Sequence, residues 1–178
     1  GPLLRSRPSP ELAWGGATLL LVAVFCNWPA FSMAEMRAVT ENNVGSELQT
    51  QGDLDAAIDL YRDSLSRNPD NAVALSNLGT ALAARGEVDE AITQYRRALE
   101  IAPNDADGFF NLGNALAIKG ELEDAAEQLR AAIEIDPEFT EAIVNLGNVL
   151  VETGEIEEAE RHYRRSTELE PDWVEAYN

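Results

Sequence analysis

The chain has 178 residues, 45% of them hydrophobic and 25% charged, enough apolar material for an ordinary packed core. Its formal net charge of −19 excludes the clustered Lys and Arg that neutralise nucleic-acid phosphates and reads first as a solvated acidic surface. With one cysteine, Cys26, and one histidine, His162, it has no internal disulfide and no His/Cys set for a transition metal.

Residues 1–34 differ in kind from the rest. Arg5 and Arg7 precede an apolar run whose dense part is Ala17–Cys26, and Asn27 and Pro29 lead to Ser32-Met33-Ala34. A positive flank, a short apolar core and a small-x-small ending form the pattern of a secretory signal peptide, with cleavage after Ala34. Leu12–Trp28 also reaches the lower length limit for crossing a bilayer. An uncleaved signal anchor, attaching the protein to a membrane through residues 12–28, is therefore the alternative. A lipoprotein site at Cys26 is disfavoured by the bulky Phe25 before it. Both main readings export the remaining chain, to the cell envelope, periplasm or exterior, or hold it at the membrane.

From residue 35 the chain repeats itself. Pro69, Pro103, Pro137 and Pro171 stand 34 residues apart, as do Gly52, Gly86, Gly120 and Gly154, and Gly45, Gly79, Gly113 and Gly147. Asn43, Asn77, Asn111 and Asn145 keep the same phase, with Ala57, Ala91, Ala125 and Ala159 and with Arg62, Arg96, Arg130 and Arg164. Columns in phase over four periods identify a repeat protein. The units run over 35–71, 72–105, 106–139 and 140–173, and residues 174–178 open a further one. The apolar Trp173, Val174 and Tyr177 predict that the natural protein continues beyond Asn178.

Each unit reads as two helices. From Ala106, the residues Phe109, Leu112, Leu116 and Ala117 keep helical spacing until Gly120, which suits a left-handed cap. A second helix from about Glu123 carries Ala125, Leu129, Ala132 and Ile133 and is closed by Pro137. Acidic pairs open these second helices, at Asp89-Glu90, Glu123-Asp124 and Glu157-Glu158, where they face the positive end of the helix dipole. Gly79, Gly113 and Gly147 fall inside first helices at about 1 kcal/mol each relative to alanine. They predict a close helix–helix approach, with Ala91, Ala125 and Ala159 as the small facing residues. Arg96–Glu100, Arg130–Glu134 and Arg164–Glu168, at i,i+4, read as surface ion pairs. His162, in register with Gln94 and Gln128, reads as a solvated surface position.

The spacing Leu75-x-x-Leu78-Gly79-x-x-Leu82, then Ala91-x-x-x-Tyr95 and Pro103, resembles the tetratricopeptide repeat over residues 38–173. Phe109 and Ile143 stand where that family often has tryptophan. The first copy departs from the pattern, with Glu41 at the large apolar position and a polar first helix, as in an N-terminal capping repeat. The resemblance implies an all-α, right-handed superhelical solenoid of helix–turn–helix units whose first helices line a concave groove. It would place Asn77, Asn111 and Asn145 in that groove, with Thr80, Asn114 and Asn148 and with Ser76, Phe110 and Val144. An amide ladder of this kind binds peptide in the O-linked N-acetylglucosamine transferases. The family's binders of acidic chaperone tails carry basic grooves, and here Asp107 and Glu141 lie near uncharged residues instead, so that ligand is not expected.

No catalytic constellation emerges. Asp105-Ala106-Asp107-Gly108 lacks the later glutamate of a calcium loop, having Leu116 there, and no G-x-S-x-G or P-loop is present. No cofactor, metal or small-molecule substrate is expected. The reading is a protein-interaction scaffold for an extended or helical segment of a partner protein. Its alternatives are a non-catalytic recruiting region of a larger enzyme, such as a glycosyltransferase, and an architectural spacer.

Overall fold

A computed structural model describes residues 33–171, which form eight α-helices and no strand. They are α1 (Met33–Thr50), α2 (Leu54–Arg67), α3 (Ala72–Arg85), α4 (Val88–Ile101), α5 (Ala106–Lys119), α6 (Leu122–Ile135), α7 (Thr140–Thr153) and α8 (Ile156–Leu169). The apolar stretch 12–28 and the fragment 174–178 lie outside the described residues. Helix α1 runs through the Ala34–Glu35 junction without a break. Among the described residues no helix is long and apolar enough to cross a membrane.

The helices pair into four hairpins, α1/α2 to α7/α8, stacked so that each second helix packs on the next first helix. The turns follow from local chemistry. Gly52, Gly86, Gly120 and Gly154 have φ of 86°, 89°, 85° and 88°, the left-handed conformation that ends a helix and that only glycine adopts without strain. The next N–H then returns to the last turn, Glu87 to the Leu82 carbonyl at 2.9 Å and Glu121 to that of Leu116 at 3.0 Å. Asp53 and Asn71 cap α2 and α3 by accepting the N–H groups of Ala56 and Ala74. Phe139 takes the corresponding position before α7 without a side-chain cap. Its ring packs instead against Phe110, centroids 4.9 Å apart.

One continuous core joins the hairpins, from Ile58 and Tyr61 through Leu78, Leu82 and Leu112 to Leu146 and Leu150. The glycines inside first helices do mark close approach, and the group nearest each is a larger side chain one turn beyond the alanine column, with the Ala125 backbone also close to Gly113. A Cβ on Gly45 or Gly79 would lie 2.7 Å from the ring of Tyr61 or Tyr95, and one on Gly147 would lie 2.6 Å from that of Tyr163. In the third hairpin Leu129 takes the ring's place, its Cγ 2.8 Å from such an atom. The buried alanines let the helices meet, and a larger side chain one turn on then lies across the glycine.

The arginine column also departs from expectation. None of the i,i+4 pairs forms among the described residues. Arg62 reaches Glu90 at 2.9 Å and Arg130 reaches Glu158 at 3.1 Å, each 28 residues on. Stacking brings the carboxylate in the first turn of one second helix within reach of the arginine on the previous one. A parallel set joins Arg85 to Asp55 and Glu87, both at 2.7 Å, and Lys119 to Asp89 and Glu121 at 2.8 and 2.9 Å.

Successive first helices touch one another directly, α1 with α3, α3 with α5 and α5 with α7, whereas successive second helices do not. The first-helix row is therefore the shorter-spaced, inner side of the stack, and the second-helix row is the outer side.

Candidate protein-interaction surface

The inner side is built from α3, α5 and α7, which carry the three columns singled out in the sequence. Asn77, Asn111 and Asn145 are half-buried. The Asn77 amide donates to Oδ1 of Asn42 at 3.2 Å, and the Asn145 amide donates to Oδ1 of Asn114 at 2.8 Å. Two of the three are thus tied to the preceding first helix, and Asn111 makes no side-chain bond among the described residues. Asn77 and Asn145 each keep a carbonyl oxygen and a second N–H without a protein partner there.

The next column is held from beneath. The Tyr95 hydroxyl donates to Oγ1 of Thr80 at 3.2 Å, and Thr80 donates to the Ser76 carbonyl at 3.0 Å. The Tyr163 hydroxyl donates to Oδ1 of Asn148 at 2.8 Å. Burial pushes both phenols above their ordinary range, so they stay protonated donors. The third hairpin has Leu129 in place of tyrosine, and Asn114 is held by Asn145 instead.

In the remaining column Ser76 has a buried hydroxyl with no partner among the described residues, Val144 is half-buried, and Phe110 is turned onto Phe139. A cleft of about 400 Å³ opens between α5 and α7. Asn114, Asn145 and Asn148 form its polar edge, Ala117 and Ile118 its apolar wall, and Glu152 its end. Sequence reasoning missed Ile118 and Glu152. They share a column with Ala84, and the replacement of a small residue by a large one was the available signal.

The cations nearest this face, Arg85 and Lys119, are engaged in their ion pairs, which push both further above their ordinary ranges. The surface is otherwise amide, hydroxyl and apolar, with Asp107, Glu141 and Glu152 exposed around it.

His162 is not the solvated residue that its register suggested. Its side chain is 19% exposed, and Nδ1 is buried without a partner among the described residues. Nε2 lies 3.7 Å from Glu158. Burial holds the imidazole below its ordinary range, partly opposed by Glu158. Among the described residues no three His, Cys, Asp or Glu side chains gather as a metal site would require.

Tetratricopeptide-repeat profiles match residues 45–106, 94–127, 113–154 and 140–173. Among solved structures the chain is similar to MamA, at 28% identity and a TM-score of 0.71, over 75% of this chain and 78% of that one. It is similar to the Thermobaculum terrenum O-GlcNAc transferase, solved as a K341M mutant, at 29% identity and a TM-score of 0.64; 67% of this chain and 23% of the transferase are covered. The first TPR of Spaghetti (RPAP3), solved bound to the HSP90 peptide SRMEEVD, shares the fold at 22% identity and a TM-score of 0.66, over 67% of this chain and 95% of that one. No curated protein sequence matches. With repeat profiles from residue 45 to residue 173 on a stack of helical hairpins, the chain belongs to the tetratricopeptide repeat family, whose members are protein-interaction scaffolds.

Proposed function

We propose that this protein holds an extended segment of a partner protein along the inner face of α3, α5 and α7. The observation that carries this reading is the row of half-buried amides, Asn77, Asn111 and Asn145, beside a cleft with an apolar wall. A side-chain amide both donates and accepts, as a peptide unit does, so a row of them can bond an extended backbone whatever its sequence. Thr80, Asn114, Asn148, Ser76, Phe110 and Val144 would then meet the segment's side chains. The lack of a spare Lys or Arg on this face favours a neutral or basic segment over an acidic tail. In this reading the repeats recruit and carry no chemistry, and residues 1–34 deliver the scaffold to the cell envelope as a signal or anchor.

One observation favours a second reading, recruitment for a larger enzyme: the 29% identity to an O-GlcNAc transferase over two-thirds of this chain. Both readings use the same groove.

The test compares polypeptides retained by the wild-type repeats and by an Asn77→Ala, Asn111→Ala, Asn145→Ala variant of equal helicity. The groove reading expects bound species to be lost from the variant. It fails if both proteins retain the same set, or if the wild type retains none at low salt.

A further inference from the structure

Three equivalent furrows run along the outer side, between successive second helices, each floored by the first helix between them. The furrow between α2 and α4 is crossed by Arg62–Glu90, and that between α6 and α8 by Arg130–Glu158. Their floors are sealed, with Leu75 and Ile143 both 0% exposed. The middle furrow, between α4 and α6, is open. Arg96 occupies the arginine column there and makes no ion pair among the described residues, because the carboxylate in register is Asp124, one methylene shorter than Glu90 or Glu158. Phe109, in the column of Leu75 and Ile143, is only half-buried. A cleft of about 490 Å³ results, with Leu99, Phe109 and Leu116 in its floor and Glu100, Asp124 and Glu127 on its rim.

We propose that this open furrow is a second docking site, for a protein segment presenting an apolar side chain next to Lys or Arg. The apolar floor supplies the driving force for burying that side chain. The rim sets three carboxylates against the single guanidinium of Arg96, and the chain as a whole carries −19, so the complementary segment is cationic. The cleft lies open along its length, unlike a site that encloses a small molecule, and suits a side chain delivered from an apposed surface. It faces away from the asparagine column, so it stands or falls apart from the groove reading.

The test uses a fluorescein-labelled amphipathic peptide with leucines flanked by arginines, titrated by anisotropy at low salt against the full chain. Asp124→Glu lengthens the carboxylate to complete the Arg96 bridge, and Glu127→Lys reverses one rim charge at an exposed position. Each is expected to weaken binding about tenfold, and to do so equally in the background of the triple asparagine variant, which removes any share of the inner groove. A control peptide with glutamates in place of its arginines is expected not to bind. The proposal is overturned if neither rim variant weakens binding, if the glutamate peptide binds equally, if the asparagine variant alone loses the peptide, or if the wild type binds no peptide.

Discussion

The ring of Tyr95 lies across the backbone of Gly79 so closely that a Cβ there would sit 2.7 Å from its Cε1. Gly79→Ala gains about 1 kcal/mol of helix propensity but must displace a ring that is 2% exposed, and overpacking of this kind costs about 1–3 kcal/mol. The expected outcome is a net loss of up to about 2 kcal/mol, read as a lower urea midpoint. Gly147→Ala makes the same approach to Tyr163, but that ring is half-buried and can tilt outward. There the change should stay within about 0.5 kcal/mol. Equal losses at the two sites would show that helix approach, not the ring, sets the requirement.

Gly120 makes a different demand. A Cβ on it meets nothing within 4 Å, but its φ is +85°. Gly120→Ala should therefore lose about 1 kcal/mol or more through backbone strain alone, and Gly120→Asn should recover part of it, since asparagine tolerates the left-handed region. Thermal midpoints of the two variants decide this. If asparagine is no better than alanine, the loss comes from something other than the dihedral.

The repeat and its hairpins were legible because each is dictated within one unit by apolar spacing, a capping glycine and a closing proline. What lay between units was less legible. The expected i,i+4 pairs of Arg96, Arg130 and Arg164 do not form among the described residues; Arg130, like Arg62, takes the i+28 carboxylate instead, which belongs to the next hairpin and which only stacking brings close. The glycine column pointed to close packing, yet the nearest facing side chain was Tyr61, Tyr95, Leu129 or Tyr163, one turn beyond the expected alanine. His162 looked solvated because its register mates are glutamines. Gln94 itself is 9% exposed, so the column was never a surface one. The inner-face columns were chosen from the family resemblance, and the asparagine-to-asparagine bonds within them depend on neighbouring copies that differ in sequence.

Burial raises the phenols of Tyr61, Tyr95 and Tyr163. The folded state keeps these groups neutral, while the unfolded chain ionises them near pH 10. Their contribution is full below that value and is lost as pH rises through the folded pKa. Lys119, raised by Asp89 and Glu121, adds to the loss in the same direction at higher pH. Tyr95→Phe should cost about 0.5–1.5 kcal/mol at neutral pH by removing the donor to Thr80, and should make the alkaline fall in stability shallower. A fall as steep as the wild type's would remove Tyr95 as a cause.

The C-terminal hairpin carries the acid counterpart. Burial lowers His162, Glu158 opposes that shift, and Arg130 and Arg165 reinforce it. The folded state thus resists a proton that the unfolded chain accepts near pH 6.5. Stability is full above that pH and falls as pH drops through it toward the lower folded value. His162→Gln installs the residue found at positions 94 and 128 and removes the titration. Urea midpoints measured from about pH 7.5 down to about pH 5.5 should therefore decline in the wild type and stay flatter in the variant. Glu158, held below its ordinary range chiefly by its hydrogen bond from Arg130, contributes stability that is present above its unfolded pKa and is lost only as pH falls further. Both proteins should then weaken together at more acidic pH. Parallel declines across the upper window would mean that the half-buried imidazole is not what senses the proton.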